Sequence, residues 1–245
     1  MRYLLSVLML TASVPLLSQD DCDLFNIQDL AADNLSQQAE IDALYCYCGV
    51  KMDGYRYYGA LIGDQCWFAE NLRTTVYADG SAIPEVTDQY AWTGLSTGAR
   101  CDYDNDPVAS YGYGRLYNWY AVDDTRGLCP TGWHVPTDDD WTALETYLGA
   151  NGHSGAEGTA LKSTSGWNDS GNGTDDFGFS ALPGGYRYYY YGNFLHAAYR
   201  GYWWSSSPNG GSAWFRSLYD SNPAINRGSY APRFGFSVRC LRDAD

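Results

Sequence analysis

Basic residues are scarce in this chain. Its 245 residues carry 15 Lys and Arg against 29 Asp and Glu, a formal net charge of −14. A surface this acidic repels phosphate backbones, so no nucleic-acid partner is expected. It would attract divalent cations, but solubility alone explains it. No apolar run of membrane-spanning length follows Leu17, so no transmembrane anchor is expected. Histidine occurs only at positions 134, 153 and 196, and no Gly-x-Ser-x-Gly elbow is present. Hydrolysis needs a nucleophile with its base, or a distinctive carboxylate pair. Neither stands out, and the chain is expected not to be an enzyme. Ala- and Leu-rich runs of helical length are also missing.

Present instead are 23 Tyr, 9 Trp and 27 Gly, with 45% hydrophobic and 18% charged residues. That mix suits short strands, tight turns and irregular loops around a substantial core. At the start, Arg2 precedes a largely apolar stretch from Leu4 to Leu17, and the small Ser18 precedes Gln19. Residues 1–18 are read as a secretory signal peptide, which places the protein outside the cell or on its surface.

Export permits disulfides. The cysteines are Cys22, Cys46, Cys48, Cys66, Cys101, Cys129 and Cys240. Seven is odd, so at least one is free or joins two chains. Cys22, Cys46 and Cys48 are the candidates for an intermolecular thiol. A zinc site fails on spacing, because Cys46 and Cys48 are separated by one residue and no second close pair or nearby His follows.

Residues 19–50 form a polar segment with a ragged helical stripe at Ile27, Leu30, Ala31, Leu35, Ile41 and Leu44. This is read as a short helical N-terminal arm or linker, and residues 51–243 as the main domain. Within it, Tyr55–Ile62 reads as a strand, turning at Gly63-Asp64 into Gln65–Phe68. Helices are expected over Gly114–Val122 and Asp138–Leu148. The second has Thr137 as N-cap, Asp140 in the capping-box position, and Trp141, Leu144 and Leu148 facing inward. Further strands are expected at Gly178–Leu182, Tyr186–Tyr191, Gly201–Ser205, Ala213–Tyr219 and Phe234–Leu241, with a hairpin turn near Gly192-Asn193. The class is α+β: short antiparallel strands, two main helices and long loops.

Six segments then occur in a recognisable order. They are Gly63–Arg73, Tyr111–Tyr120, Cys129–Trp141, Ala181–Arg187, Gly201–Ser206 and Gly235–Asp243. In this order they resemble the Fibrobacter succinogenes major paralogous domain family across roughly residues 51–243. The chain departs from that family at Cys66, where an apolar residue is usual, and in its N-terminal arm. The family is similar in turn to the formylglycine-generating-enzyme-like, C-type-lectin-like superfamily through Pro136, Thr137, Trp141 and Gly235-Phe236. The resemblance implies a C-type-lectin-like fold with close termini and a Cys129–Cys240 disulfide. It brings no oxygenase chemistry. That needs a close cysteine pair ahead of the Gly-Phe segment, and residues 130–239 contain no cysteine.

Candidate binding features remain. Asp102, Asp104 and Asp106 form an oxygen-rich run of the kind that wraps calcium, although the full twelve-residue loop pattern is absent. Trp167-Asn168-Asp169 echoes a lectin sugar-and-calcium segment, which turn chemistry explains equally well. Tyr188, Tyr189, Tyr190 and Tyr191 make the densest aromatic run and the best candidate contact for a glycan or partner. Trp203 and Trp204 are assigned to the core. Asn34, Asn168 and Asn172 sit in glycosylation sequons. The expected function is a secreted, non-catalytic structural or adhesive cell-surface module that associates with its own copies or with cell-surface proteins, as in an extracellular fibre. The alternative is a lectin-like module that binds glycans through Tyr and Trp, with or without calcium.

Overall fold

The computed structural model describes residues 49–243. The expected signal peptide and nearly all of the arm, with Cys22, Asn34, Cys46 and Cys48, lie outside the described residues.

The architecture is mixed α+β with few helices and a curled sheet. Short strands β1 (Val50–Met52), β2 (Tyr55–Tyr57), β5 (Arg100–Cys101) and β6 (Leu116–Tyr117) accompany the principal sheet, which is formed by β7 (Gly184–Arg187), β8 (Phe194–Ala197), β9 (Arg200–Asn209), β10 (Ser212–Tyr219) and β11 (Asn222–Tyr230). The spatial order in the principal sheet is β11-β10-β9-β7-β8, antiparallel except for the contact between β7 and β9. Strand alternation sends successive side chains to opposite faces, so one strand can serve two cores. In β9, Trp203 enters a cluster with Trp141, Leu144, Leu148 and Leu218. Its neighbours Tyr202 and Trp204 enter another with Phe215, Phe234 and Phe236. Both tryptophans are thus core residues, as expected.

A second sheet closes the domain. In it β3 (Gly59–Ile62) pairs with β4 (Gln65–Phe68), and β12 (Leu241–Asp243) pairs with the other edge of β4. The end of the domain therefore lies beside its beginning. Cys129 and Cys240 are disulfide-bonded across 111 residues with Cα atoms 5.7 Å apart. Chain-entropy arithmetic gives a loop of that length about 4–5 kcal/mol of stabilisation.

Few helices accompany the sheets. Chain order among the described residues gives α1 (Gln89–Thr93), α2 (Ala109–Tyr113), α3 (Trp119–Val122), α4 (Asp138–Leu148) and α5 (Glu157–Leu161). The longest, α4, starts as its sequence dictates. Thr137 Oγ1 accepts from Asp140 N at 3.1 Å, and Asp140 Oδ2 accepts from Thr137 N at 2.8 Å. Trp141, Leu144 and Leu148 are buried.

Several expected elements differ. The helix anticipated over Gly114–Val122 is broken: Gly114 is left-handed at φ 73°, Leu116–Tyr117 is a short strand, and only Trp119–Val122 is helical, capped by Asn118. Among the described residues only one helix is long, so the expectation of two main helices gives way to one. The Tyr55–Ile62 strand is interrupted at Tyr58. Gly178–Leu182 and Phe234–Cys240 contribute isolated bridges, because their backbone groups bond to loops instead of a continuous ladder. Strand β11 had no sequence signal. Its Asn-Pro-Ala-Ile-Asn-Arg-Gly-Ser-Tyr run is polar, and as an edge strand it is half-exposed along its length.

Buried arginines lock the layers. Arg239 is fully buried and donates to Asn71 Oδ1, Phe68 O, Phe179 O and Ser180 O, with its guanidinium 4.0 Å over the Phe179 ring. Burial pulls its pKa down to about 9. Arg216, also buried, bridges β10 to α4 through Asp138 at 2.6 Å and through Glu145.

Candidate binding surface

The tyrosine run is a hairpin tip. Tyr188–Gly192 joins β7 to β8, with Tyr188 N donating to Asn193 O at 2.8 Å and Gly192 N to Tyr188 O at 2.9 Å. Gly192 is required here. Its φ is 68°, and a Cβ would sit 2.3 Å from the Gln89 carbonyl oxygen of α1. The tip is also fixed from below. Arg187, fully buried, donates to Gly192 O at 2.9 Å, Val86 O at 2.5 Å and Thr87 O at 2.9 Å. Its guanidinium lies 4.4 Å over Trp92 and 4.8 Å over Phe194. Asp88 caps α1 by accepting from Ala91 N at 2.7 Å.

Two of the four predicted tyrosines are presented to solvent: Tyr190 is 61% exposed and Tyr191 65%. Tyr188 and Tyr189 are half-buried instead, with ring centroids 5.5 Å and 4.9 Å from Phe234. On the adjoining helix, Tyr90 is 76% exposed. Sequence reasoning missed it, because its helix is five residues long and its proximity to the tip is tertiary. Between the tip and α1 runs a cleft of about 490 Å³ lined by Asp88, Gln89, Asp104, Asn105 and Asn193, with Arg187 at its floor. Asp104 and Asn105 both hold left-handed backbone, φ 55° and 56°, and Asn105 Nδ2 donates to Thr87 O. Amides and carboxylates beside exposed rings suit hydroxyl-rich ligands.

The three carboxylates of the calcium run have different surroundings. Asp102 is buried against Arg115 at 3.1 Å, Asp104 is exposed, and Asp106 Oδ1 accepts from Val108 N. The guanidinium and the local turn thus occupy two of the three carboxylates. Among the described residues, no group of three or more His, Cys, Asp or Glu side chains converges on a metal position. Asn168 and Asn172 are exposed; Asn172 Oδ1 accepts from Trp167 N, so that segment is a turn.

Two further cysteines lie in the domain. Cys101 is free and fully buried. Burial pushes its thiol up to about 12. Cys101 is therefore an inward-facing core thiol. Cys66 is disulfide-bonded. Cys22, Cys46 and Cys48, the candidates for an intermolecular thiol, lie outside the described residues.

His134 Nε2 is 3.2 Å from Asp140 Oδ2, and the same oxygen accepts from Thr137 Oγ1 at 2.7 Å. These contacts and the neighbouring amide hold Asp140 below the usual carboxylate range against the opposing effect of burial. The carboxylate is engaged in starting α4.

Compared with known proteins, residues 61–242 match the Fibrobacter succinogenes major domain. No curated protein and no solved structure matches the chain.

Proposed function

Because the chain belongs to the Fibrobacter succinogenes major domain family, we propose that it is a non-catalytic adhesive module, secreted to the cell surface, with the tyrosine hairpin as its contact face. The observation that carries this reading is the exposure of Tyr190, Tyr191 and Tyr90 on a tip pinned by Arg187 and Gly192. Large apolar rings held rigidly in solvent favour association, because little conformational freedom remains to be lost on contact. The partner is another copy or a cell-surface protein, and a head-to-tail contact that does not close would build a fibre. The proposed fold family is C-type-lectin-like, in keeping with the adjacent domain ends at β4 and β12.

Sedimentation velocity over a wide concentration range tests the reading. The wild-type chain should associate as concentration rises, and Tyr190→Ala with Tyr191→Ala should not. A monomer at every concentration that also captures no cell-surface protein sinks it.

A second reading, glycan binding, draws on the polar cleft beside the tip. A neutral-glycan array distinguishes the two, with binding weakened by Tyr190→Ala.

A further inference from the structure

Away from the hairpin tip, the same aromatic face carries an arginine that meets no carboxylate. Arg73, Arg100, Arg115, Arg126, Arg216 and Arg227 each reach an Asp or Glu. Half-buried Arg200 forms no such ion pair among the described residues. It stands opposite Tyr219 across β9 and β10, with its guanidinium 4.5 Å over that ring and within electrostatic reach of buried Tyr202. Tyr202 lies 6.3 Å from Tyr219 and 5.0 Å from Tyr186 between ring centroids. Tyr186 in turn lies 5.6 Å from His196 and within electrostatic reach of Tyr188 and Tyr230. Asp220 follows Tyr219 in the chain, but its charge acts on Lys162. His134 and His153 each have a carboxylate neighbour. Among the described residues His196 has none, and burial together with Arg200 holds its pKa down.

The cluster is therefore a collection of donors: a guanidinium, several phenol hydroxyls and an imidazole. On a chain of net charge −14 such a patch is locally positive. Extended polyanions such as nucleic acid would still be repelled by the whole surface, whereas a single carboxylate feels mainly the nearest charges through the short screening length. Half-buried tyrosine rings beside the donors add a surface for the C–H face of a sugar ring.

We propose that Arg200, with the hydroxyls of Tyr186 and Tyr219, binds the carboxylate of an acidic saccharide, a uronic acid unit of a polysaccharide. This rests on the glycan-binding reading and adds a site distinct from the hairpin tip.

Calorimetric titration of the full chain tests it, using a tri-uronate oligosaccharide, the matching neutral trisaccharide and an oligo-glutamate peptide. The tri-uronate should bind best. Arg200→Gln should weaken it by roughly tenfold or more, the value of a charge-assisted hydrogen bond. Tyr219→Phe, which keeps the ring, should weaken it less, and Tyr190→Ala should leave it unchanged. Equal binding of the neutral sugar, unaltered affinity in Arg200→Gln, or peptide binding as tight as the uronate overturns the proposal. Binding of the neutral sugar but not of the tri-uronate, lost in Tyr190→Ala, overturns it while the glycan reading stands. Binding of no saccharide overturns both.

Discussion

Arg239 Nε lies 3.0 Å from Asn71 Oδ1 across 168 residues of sequence. The same oxygen accepts from Trp203 Nε1 at 2.7 Å, and the Asn71 amide donates to Tyr113 O and Ser237 Oγ. One side chain thereby joins the opening of the domain, its main sheet and its final segment.

Asn71→Ala should be among the most damaging single changes. It leaves a buried guanidinium nitrogen and a buried indole N–H without acceptors, at a cost of about 3 kcal/mol or more. Urea unfolding monitored by far-ultraviolet dichroism reads this directly. A loss below about 1 kcal/mol would mean that the network is not central.

Alkaline pH should unfold the domain. Burial raises the hydroxyls of Tyr57, Tyr117 and Tyr202 above their ordinary value, and the Cys101 thiol to about 12. In the native state these groups keep protons that the unfolded chain releases above about pH 10 for Tyr and pH 8.5 for Cys. Their contribution is complete below those values and is lost as pH climbs toward the folded ones. Arg239 acts oppositely above pH 9, but it is one group against several. Thermal melts at pH 8, 10 and 11 should show falling midpoints, with phenolate absorbance rising at the same transition.

Cys101 should resist modification. Its sulfur is buried and its thiolate form is disfavoured. In the native protein a small maleimide should not label it, and in denaturant it should label at once. Rapid native labelling of Cys101, located by mass spectrometry, would contradict the packed position.

Gly192→Ala should cost more than Gly210→Ala. Both glycines are left-handed, φ 68° and 60°, but a Cβ at 210 meets open space while one at 192 strikes Gln89. The shared conformational penalty is about 1–2 kcal/mol. The excess at Gly192 measures how firmly the tip is docked on α1. Paired denaturation curves give that difference, and equal costs would mean the tip is not docked.

Local chemistry was legible along the chain. The capping box of α4 spans four residues, so Thr137 and Asp140 could be paired on sequence alone. Turn signals at Gly63-Asp64 and at Gly192 were equally local. Tyrosine exposure was only half legible, because Tyr188 and Tyr189 turn onto Phe234, a residue more than forty positions away. Edge strand β11 was invisible, since its order comes from pairing with β10 rather than from its own composition.

The sequence by itself determined the α+β class, the family motifs in their order, and the capped start of α4, because short-range propensity and spacing carry those. Only the tertiary structure decided which charges are spent and which are left open. Arg187 and Arg239 satisfy backbone carbonyls, Arg216 satisfies α4, and Arg200 stands among tyrosines with no carboxylate partner among the described residues. A buried guanidinium must find acceptors wherever the fold brings them, and those acceptors are set by contacts between segments far apart in the chain.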